Sequence, residues 1–431
     1  MKLIRFLSKQ FLDVKKNGTK ELLKKIKIFL IFLLISPFHI LFFIVALPIV
    51  VFIRIIKPFL HIRFRTISTG RIGHFADDAG IILSETVLKQ NNIKDWYWLQ
   101  KPTCNHQLEK MVERAFYVRW WVKYLYTTNK IIPGGKQHTL ETPSITQSAR
   151  DINGLLYKSK GIKKAYLSFS EQEQADAKKY LKSIGLNDND KFVCLNVRDS
   201  SYLNHLYPKV DWNYHNFRDS DINTYALAAV ALAEKGYWVF RTGKVVSKPF
   251  NCKHPKVIDY ATSDRKSDLL DIWLMANCSF SISTGSGLDS IPVIFRRPIL
   301  FLNFLPINEV VTYAASLTYF KHLKWKNKNK LLNFKECLEN SHYEYNEYAR
   351  NGVEIIDMSP SEMKSAVLEM VDRISGKWID KTEDIKLQNS FWHTYKKCEN
   401  FRKNHSFINP SAKISSAFLH SSFKPVQFQR L

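Results

Sequence analysis

Acidic residues are scarce in this 431-residue chain: 39 Asp and Glu stand against 64 Lys and Arg, a formal charge of +25. The partner to expect is therefore anionic: nucleic acid, anionic lipid or a phosphorylated substrate. Glycine and proline are also few, at 15 each, which excludes a low-complexity chain. A hydrophobic share of 45% with 24% charged residues excludes a mainly disordered or fibrous one. The length suits two or three domains with a large core. Six cysteines (Cys104, Cys194, Cys252, Cys278, Cys337 and Cys398) lie far apart with no CxxC pair. That spacing argues against a disulfide framework and a close-set zinc site, and reads as reduced thiols in a cytosolic compartment. Cys194 and Cys278 read as small buried hydrophobes. GxGxxG is missing too, so the dinucleotide fingerprint is excluded.

Charge is absent altogether from residues 28–53, IFLIFLLISPFHILFFIVALPIVVFI. Twenty-six helical residues would extend about 39 Å, against a hydrocarbon core of about 30 Å. The segment is too long for a signal peptide, and no small-residue cleavage site follows it. Lys2, Arg5, Lys9, Lys15, Lys16, Lys20, Lys24, Lys25 and Lys27 precede it, and Arg54, Lys57, Arg63, Arg65 and Arg71 follow. Both flanks thus favour the cytoplasm, and Pro37 and Pro48 interrupt helical bonding. A re-entrant, interfacial segment is the expectation, with a single tilted span as the alternative.

RFRTISTGRIGHFADDAGIILSETVL (63–88) reads as a strand, a glycine loop and a helix from about His74, the start of an α/β unit. Aromatics crowd Trp96 to Tyr126, as core and an amphipathic helix with one face open to lipid. Pro133–Ser144 is turn-rich, and Ser170 caps a helix that ends at Gly185. After Lys191 strands and helices alternate: strands at 191–198, 237–243, 256–261, 279–284 and 297–304, helices at 219–236 and 267–278. That rhythm predicts βαβ units and a parallel sheet, with ligands beyond the C-terminal strand ends. Polar residues gather there: Arg198-Asp199, Arg241-Thr242-Gly243, Ser283-Thr284-Gly285-Ser286-Gly287 and Asn303. Glycines at a strand-to-helix turn favour an anion, and two arginines at neighbouring strand ends suggest a diphosphate.

GRIGHFA, CLNVRDSSY, RDSDINTY, WVFRTGK, VIDYA and KSDLLDIWLMANCSFSISTGSGLDSIPVIFRRPILFLNF together resemble a family of bacterial glycosyltransferases encoded with enzymes of surface-polysaccharide assembly. The resemblance runs from about Arg65 to Asn303, with weaker echoes to Glu369 and in the tail. Its second half is similar to the donor domain of α1,6-fucosyltransferase-like enzymes, in which a strand ends in an (H)xR motif. The arginine of that motif holds the donor diphosphate, which implies that role for Arg198; Asn196 stands where the histidine would be, so donor identity does not carry over. The fold implied is α/β of the GT-B type, two Rossmann-like domains facing a cleft, plus the N-terminal membrane segment. The division expected is 1–27 basic segment, 28–58 membrane segment, 59–188 acceptor domain, 189–375 nucleotide-sugar domain and 376–431 C-terminal helix and tail. In such chains a C-terminal helix returns to the first domain, and Trp392 and Phe401 could anchor it.

What the resemblance implies is transfer of a sugar from a nucleotide-sugar to a lipid-linked or glycan acceptor in O-antigen, capsule or exopolysaccharide synthesis. The expected place is the cytoplasmic face of the inner membrane, anchored by 28–53, with other polysaccharide-assembly enzymes as further partners. A sugar-nucleotide epimerase and a non-catalytic membrane-bound nucleotide- or glycan-binding scaffold are the alternatives. Transfer by inversion needs a general base at the acceptor and positive charge at the leaving phosphate. His74, Asp77 and Asp78 are the candidate bases; the competing reading of the aspartates is helix N-terminal charge, and of His74 a structural histidine. Arg198, Arg241, Gly243, Ser283, Thr284, Gly285, Ser286 and Gly287 are the diphosphate candidates. Asp199, Tyr202, Asp259, Tyr260 and Asn303 are further donor-site candidates, and Arg71 and Gly73 belong to the acceptor loop. Asp188-Asn189-Asp190 and Asp219-Ser220-Asp221 mimic a DxD metal signature, but the first reads as a turn and the second as a helix cap. Metal-independent activity without a resident cofactor is therefore expected. His322–Leu331 is a basic run with a single Trp, read as a solvated loop or membrane-facing lip rather than a nucleic-acid site. Residues 1–71 carry net +12, Gly376 onward +6 and the 304 residues between only +7, a distribution that favours anionic lipid over nucleic acid.

Overall fold

A computed structural model of the chain describes residues 2–88, 93–140, 151–206 and 208–422. Two compact units result: Met1–Thr66 with Asn91–Leu99 and Tyr117–Glu141, and Ile67–Gln90 with Gln100–Phe116 and Thr142–Leu431. This division departs from the expected boundary at 188/189, because residues 67–90 and 100–116 pack with the later chain. Gly80 shows why. The helix Ile72–Leu88 lies so close to Ile294 that a Cβ on Gly80 would collide with its side chain.

In the first unit a helix covers Lys2–Ile55, with non-helical backbone only at Gly18. It runs through Pro37 and Pro48 without reversing, so the turn that a re-entrant loop needs is not formed. Each proline removes one ladder bond and leaves the neighbouring bonds in place, which gives a bend at most. Strand β1 (His61–Ile67) lies between β2 (Ile93–Leu99) and β3 (Thr139–Leu140) in a three-stranded sheet, with β1 and β3 parallel. Ala46, Val50 and Ile53 of the long helix pack on Ile62 and Phe64 of β1 and on Val122, Tyr124 and Leu125 of the helix Val122–Ile131. Beyond Leu140 the turn-rich stretch lies outside the described residues.

The second unit contains β4 (Phe192–Asn196), β5 (Trp238–Arg241), β6 (Val257–Ile258), β7 (Phe280–Ser283), β8 (Ile299–Phe304) and β9 (Ser316–Phe320). Three short antiparallel strands follow: β10 (His322–Trp325), β11 (Lys330–Leu331) and β12 (Val353–Ile356). Last comes β13 (Ala412–Ile414), at the edge of a seven-stranded sheet ordered β6-β5-β4-β7-β8-β9-β13. Every pairing in that sheet is parallel. β4 and β8 are buried along their whole length, as the unbroken runs FVCLN and ILFLNF require of strands covered on both faces. Strand order reverses between β4 and β7, where Asn196 pairs with Ser283, and a crevice opens at the strand ends of such a switch point.

One local expectation changes. His322–Leu331 is not a loop but the hairpin β10–β11, paired further to β12, with Leu323 buried. Of its lysines, Lys326 and Lys328 lie on the turn between the strands and Lys324 and Lys330 on the strands themselves, so the basic run reads as a loop in composition. The tail packs with the second unit: β13 extends its sheet beside β9, Trp392 and Phe401 pack against its hydrophobic core, and Ser406 and Phe407 reach Ile152 and Tyr157 of the expected acceptor domain. Residues 423–431 lie outside the described residues. Ser170 does cap the helix Glu171–Ser183, in a box with Glu173, and Ser267 caps Asp268–Asn277. All six cysteines are free thiols.

Candidate functional site

The crevice at the switch point holds a cavity of about 430 Å³, lined by residues of the second unit. One wall is the C-terminal end of β4 and the loop after it: Asn196, Val197, Arg198, Asp199 and Tyr202. A second is the turn after β5, Thr242 to Val246, and a third the turn Ser286–Leu288 after β7. The first turn of the helix Ile72–Leu88 closes it with Arg71, Ile72, Gly73, His74 and Asp77.

Glycine explains how the walls meet. A Cβ on Gly73 would sit 2.9 Å from the Gly287 Cα and 3.1 Å from its carbonyl oxygen, so the two backbones touch only because both residues lack side chains. Gly285 is left-handed at φ +87° and packs under Phe304. Ser286 opens a short helical turn, accepting from Leu288 N at 3.2 Å while its own N–H donates to Asp289 at 2.6 Å. Asn196 Nδ2 donates to Ser286 Oγ at 2.6 Å, which ties β4 to that turn across the switch point.

The wall is cationic. Arg198 is paired with Asp219, donates to the His215 carbonyl at 3.2 Å, and its amide bonds Thr284 Oγ1 at 2.9 Å. Burial works against both charges of the pair, pulling the guanidinium down and pushing the carboxyl up. Arg218 donates to the Gly285 carbonyl, and burial with the repulsion of Arg198 pulls it down to about 10, so it stays charged at neutral pH. Arg71 stands over the Trp212 ring at 5.9 Å. His215 is pushed down to about 4 by burial and by Arg218, Arg198 and Arg71, which keeps it neutral at pH 7. In the helix Ile72–Leu88 the first ladder bond runs from Phe75 N to the Arg71 carbonyl, so the amides of 72–74 precede the ladder and turn its positive end to the cavity. Across the cavity Lys244 donates to the Cys104 carbonyl at 2.9 Å and to Asp268 at 3.0 Å. Asp268 in turn accepts from His106 N at 2.7 Å, which fixes the loop 104–106 as a further wall. Asp271 is pushed up by burial and accepts from Tyr260 at 3.0 Å.

Of the expected residues, the cavity gathers Arg71, Gly73, His74, Asp77, Arg198, Asp199, Tyr202, Gly243, Ser286 and Gly287. Asp78 is buried but off the wall. Arg241 is also off it, buried against Asp259 at 3.1 Å and the Lys248 carbonyl at 3.3 Å. Asp259 is taken by Arg241 and by Phe250 N at 2.9 Å, Tyr260 by Asp271, and Asn303 by Ser220, Tyr225 and Met358. Ser283, Thr284 and Gly285 lie one step behind the wall, shaping the turn. Asp188-Asn189-Asp190 forms a turn in which Asp190 accepts from Asn187 N at 2.8 Å, and Asp221 caps Ile222–Tyr225, but Asp219 serves as the partner of Arg198. Among the described residues no group of three or more His, Cys, Asp and Glu side chains is placed to hold a metal.

Trp212, His215 and Arg218 have no expected counterpart. They sit on the connection from β4 to the helix Ala226–Glu234, far longer than the few residues such links usually need. That length was the available signal.

No family model matches the chain, and no curated protein matches it. Among solved structures, a glycosyl transferase family 9 protein from Veillonella parvula DSM 2008 is similar at 14% identity and a TM-score of 0.38, covering 61% of this chain and 86% of that one. E. coli ADP-heptose lps heptosyltransferase II is similar at 12% identity and a TM-score of 0.31, covering 56% and 84%. The UDP-GlcNAc 2-epimerase of Neisseria meningitidis, bound to UDP-GlcNAc, is similar at 13% identity and a TM-score of 0.32, covering 73% and 100%. Superpositions this loose carry no argument about the chain, and its reading rests on the cavity.

Proposed function

We propose that the chain is a membrane-associated glycosyltransferase that moves a sugar from a nucleotide-sugar to a lipid-linked or glycan acceptor in the assembly of a bacterial surface polysaccharide. The observation that carries this reading is the cavity at the β4/β7 switch point, where Arg198, Arg218 and Arg71 converge with the positive end of a 17-residue helix. Guanidinium groups and a helix N-terminus suit the two phosphates of a nucleoside diphosphate. Trp212 offers a ring face beside them. The donor diphosphate is assigned to Arg198, Arg218, Ser286 and Gly287.

Asp77 and His74 line the same cavity from the first turns of the helix Ile72–Leu88, and in this reading they supply the base at the acceptor. In this reading Asp77 takes the proton of the acceptor hydroxyl. That oxygen bonds the anomeric carbon as the bond from carbon to phosphate oxygen breaks, and the released electron pair stays on the diphosphate beside the arginines. Fixed cations at the leaving group make a metal ion dispensable in this scheme, and turnover in EDTA is the expected result.

The test is a melting-temperature screen of the full chain with GDP, UDP, ADP, dTDP and CMP. A nucleotide at 100 times its dissociation constant adds about 2.7 kcal/mol of stability. Arg198→Ala should lose that gain, and Asp77→Asn should keep it while losing donor-dependent extension of an extracted lipid-linked acceptor. Should none of the five nucleotides raise the melting temperature, the proposal fails. Nucleotide binding without any product would leave the non-catalytic scaffold.

A further inference from the structure

The helix segment Pro37–Ile55 has the length and composition of a membrane span, yet it is not free to act as one. His39, Phe43, Ala46, Val50 and Ile53 form a seam with spacing 4, 3, 4, 3 that is occupied by protein. His39 Nδ1 meets the Tyr124 hydroxyl at 2.5 Å, and the Phe42 ring contacts Tyr124 at 4.9 Å and Trp120 at 5.1 Å. At the other end Arg54 forks onto Asn129 at 3.0 and 2.8 Å and donates to the carbonyls of Pro133 and Ile132. The helix Val122–Ile131 therefore accompanies residues 39–54 side by side, and it carries Lys123 and Lys130, both exposed. If 39–54 crossed the hydrocarbon, those lysines would have to enter it as well, at a cost that membrane segments avoid. What remains is Ile28 to Phe38, eleven residues or about 16 Å of helix against a core of about 30 Å.

The face away from the seam is apolar and open. Phe38, Ile44, Phe52 and Ile55 are each more than 60% exposed, Phe59 is 88% exposed and Trp120 63%. Around it the first unit is strongly basic: its segments hold 18 Lys and Arg against 4 Asp and Glu, +14 of the chain's +25. Arg119, Lys123 and Lys130 lie over the rings of Tyr117, Tyr124 and Tyr126 at 4.7, 6.0 and 5.4 Å, cations on aromatic bodies as at a membrane–water boundary.

We infer that the first unit is monotopic: the open face of Pro37–Ile55, with Phe59 and Trp120, enters one leaflet of an anionic bilayer and lies in its plane, and the chain does not cross. This extends the membrane part of the reading above but stands on the first unit alone. Vesicle binding and nucleotide binding can each fail without the other.

Full-length protein is floated with phosphatidylcholine vesicles and with vesicles containing about 30% phosphatidylglycerol. Binding is expected at least tenfold tighter on the anionic vesicles, and retained in part in 1 M salt because of the inserted apolar face. The double substitution Phe52→Glu and Trp120→Glu, at exposed positions, should cut binding at least tenfold while the nucleotide-induced melting shift stays unchanged. Equal binding by this variant overturns the inference, as does a stable dimer that hides the face and ignores vesicles. Topology gives the second arm: Arg5→Cys and Lys136→Cys, probed in intact cells with an impermeant maleimide, should both label only after lysis. Labelling of either one from outside would establish a span.

Discussion

The two packing units handle positive charge in opposite ways. The first, 100 residues with net +14, carries its lysines and arginines on both sequence flanks of the uncharged stretch 28–53. The second, 331 residues with net +11, draws a few arginines to one crevice and fixes each of them there. Arg198 is held by Asp219 and Arg218 by the Gly285 carbonyl. A diffuse cationic surface suits a lipid plane, whose charges are many and mobile; a fixed guanidinium pair suits a diphosphate of one shape. Net charge alone does not tell these apart, but the placement of each partner does.

The largest effect that would break this contrast is Arg218→Ala. It deletes the bond to Gly285 and leaves Asp289 without a nearby cation, so a loss of about 2–3 kcal/mol is expected together with the nucleotide-induced melting shift. Denaturant unfolding with and without nucleotide measures both. If the shift survives, the arginine is a structural brace and the cavity is not organised around an anion. Next comes Gly73→Ala, which sets a methyl against the Gly287 backbone and should cost about 1–3 kcal/mol while also weakening nucleotide binding. A neutral result would mean that the two glycine turns are free to separate. In the first unit Arg54→Ala removes the fork on Asn129, for about 1.5 kcal/mol, and should leave the nucleotide shift unaltered. A lost shift there would show that the two regions do not act separately.

Most of the second sheet was legible because its strands are uninterrupted apolar runs ended by polar residues, so the run marks the strand and its end marks the crevice. Arg198, Ser286 and Gly287 were expected at the crevice on that logic, and they line its cavity. Arg241 was misplaced by the same logic: it also ends a strand, but β5 leads its side chain into the protein to meet Asp259, and a strand end does not say which way a side chain leaves. Trp212 and His215 lie at a short 3-10 turn too brief to show a period, and Arg218 stood in the RDSDINTY segment without a role assigned. Gly73 and Gly287 looked like ligand-facing glycines, whereas their first task is to let two backbones meet, a long-range contact that local sequence does not encode. The uncharged stretch 28–53 was legible in composition but its packing was not, since the seam with Tyr124 and Leu125 joins residues some eighty positions apart.

The smallest effect expected is in acid. Burial pushes His405 down to about 4, and burial with three arginines does the same to His215, so both stay neutral in the folded chain while the unfolded chain protonates near 6.5. Between about pH 6.5 and 4 the unfolded state therefore binds more protons, and stability falls as the pH falls through that window. His405→Gln should flatten this slope without touching the cavity. His215→Gln should flatten it as well, but it adds a signature that His405 cannot give. A diphosphate among Arg71, Arg198 and Arg218 would offset the repulsion that holds His215 neutral, raising its pKa in the complex. By linkage the nucleotide then binds more tightly as the pH drops toward 5, and the ratio of wild-type to His215→Gln affinity should rise along with it. A ratio independent of pH would separate His215 from the anion and return it to the wall as packing.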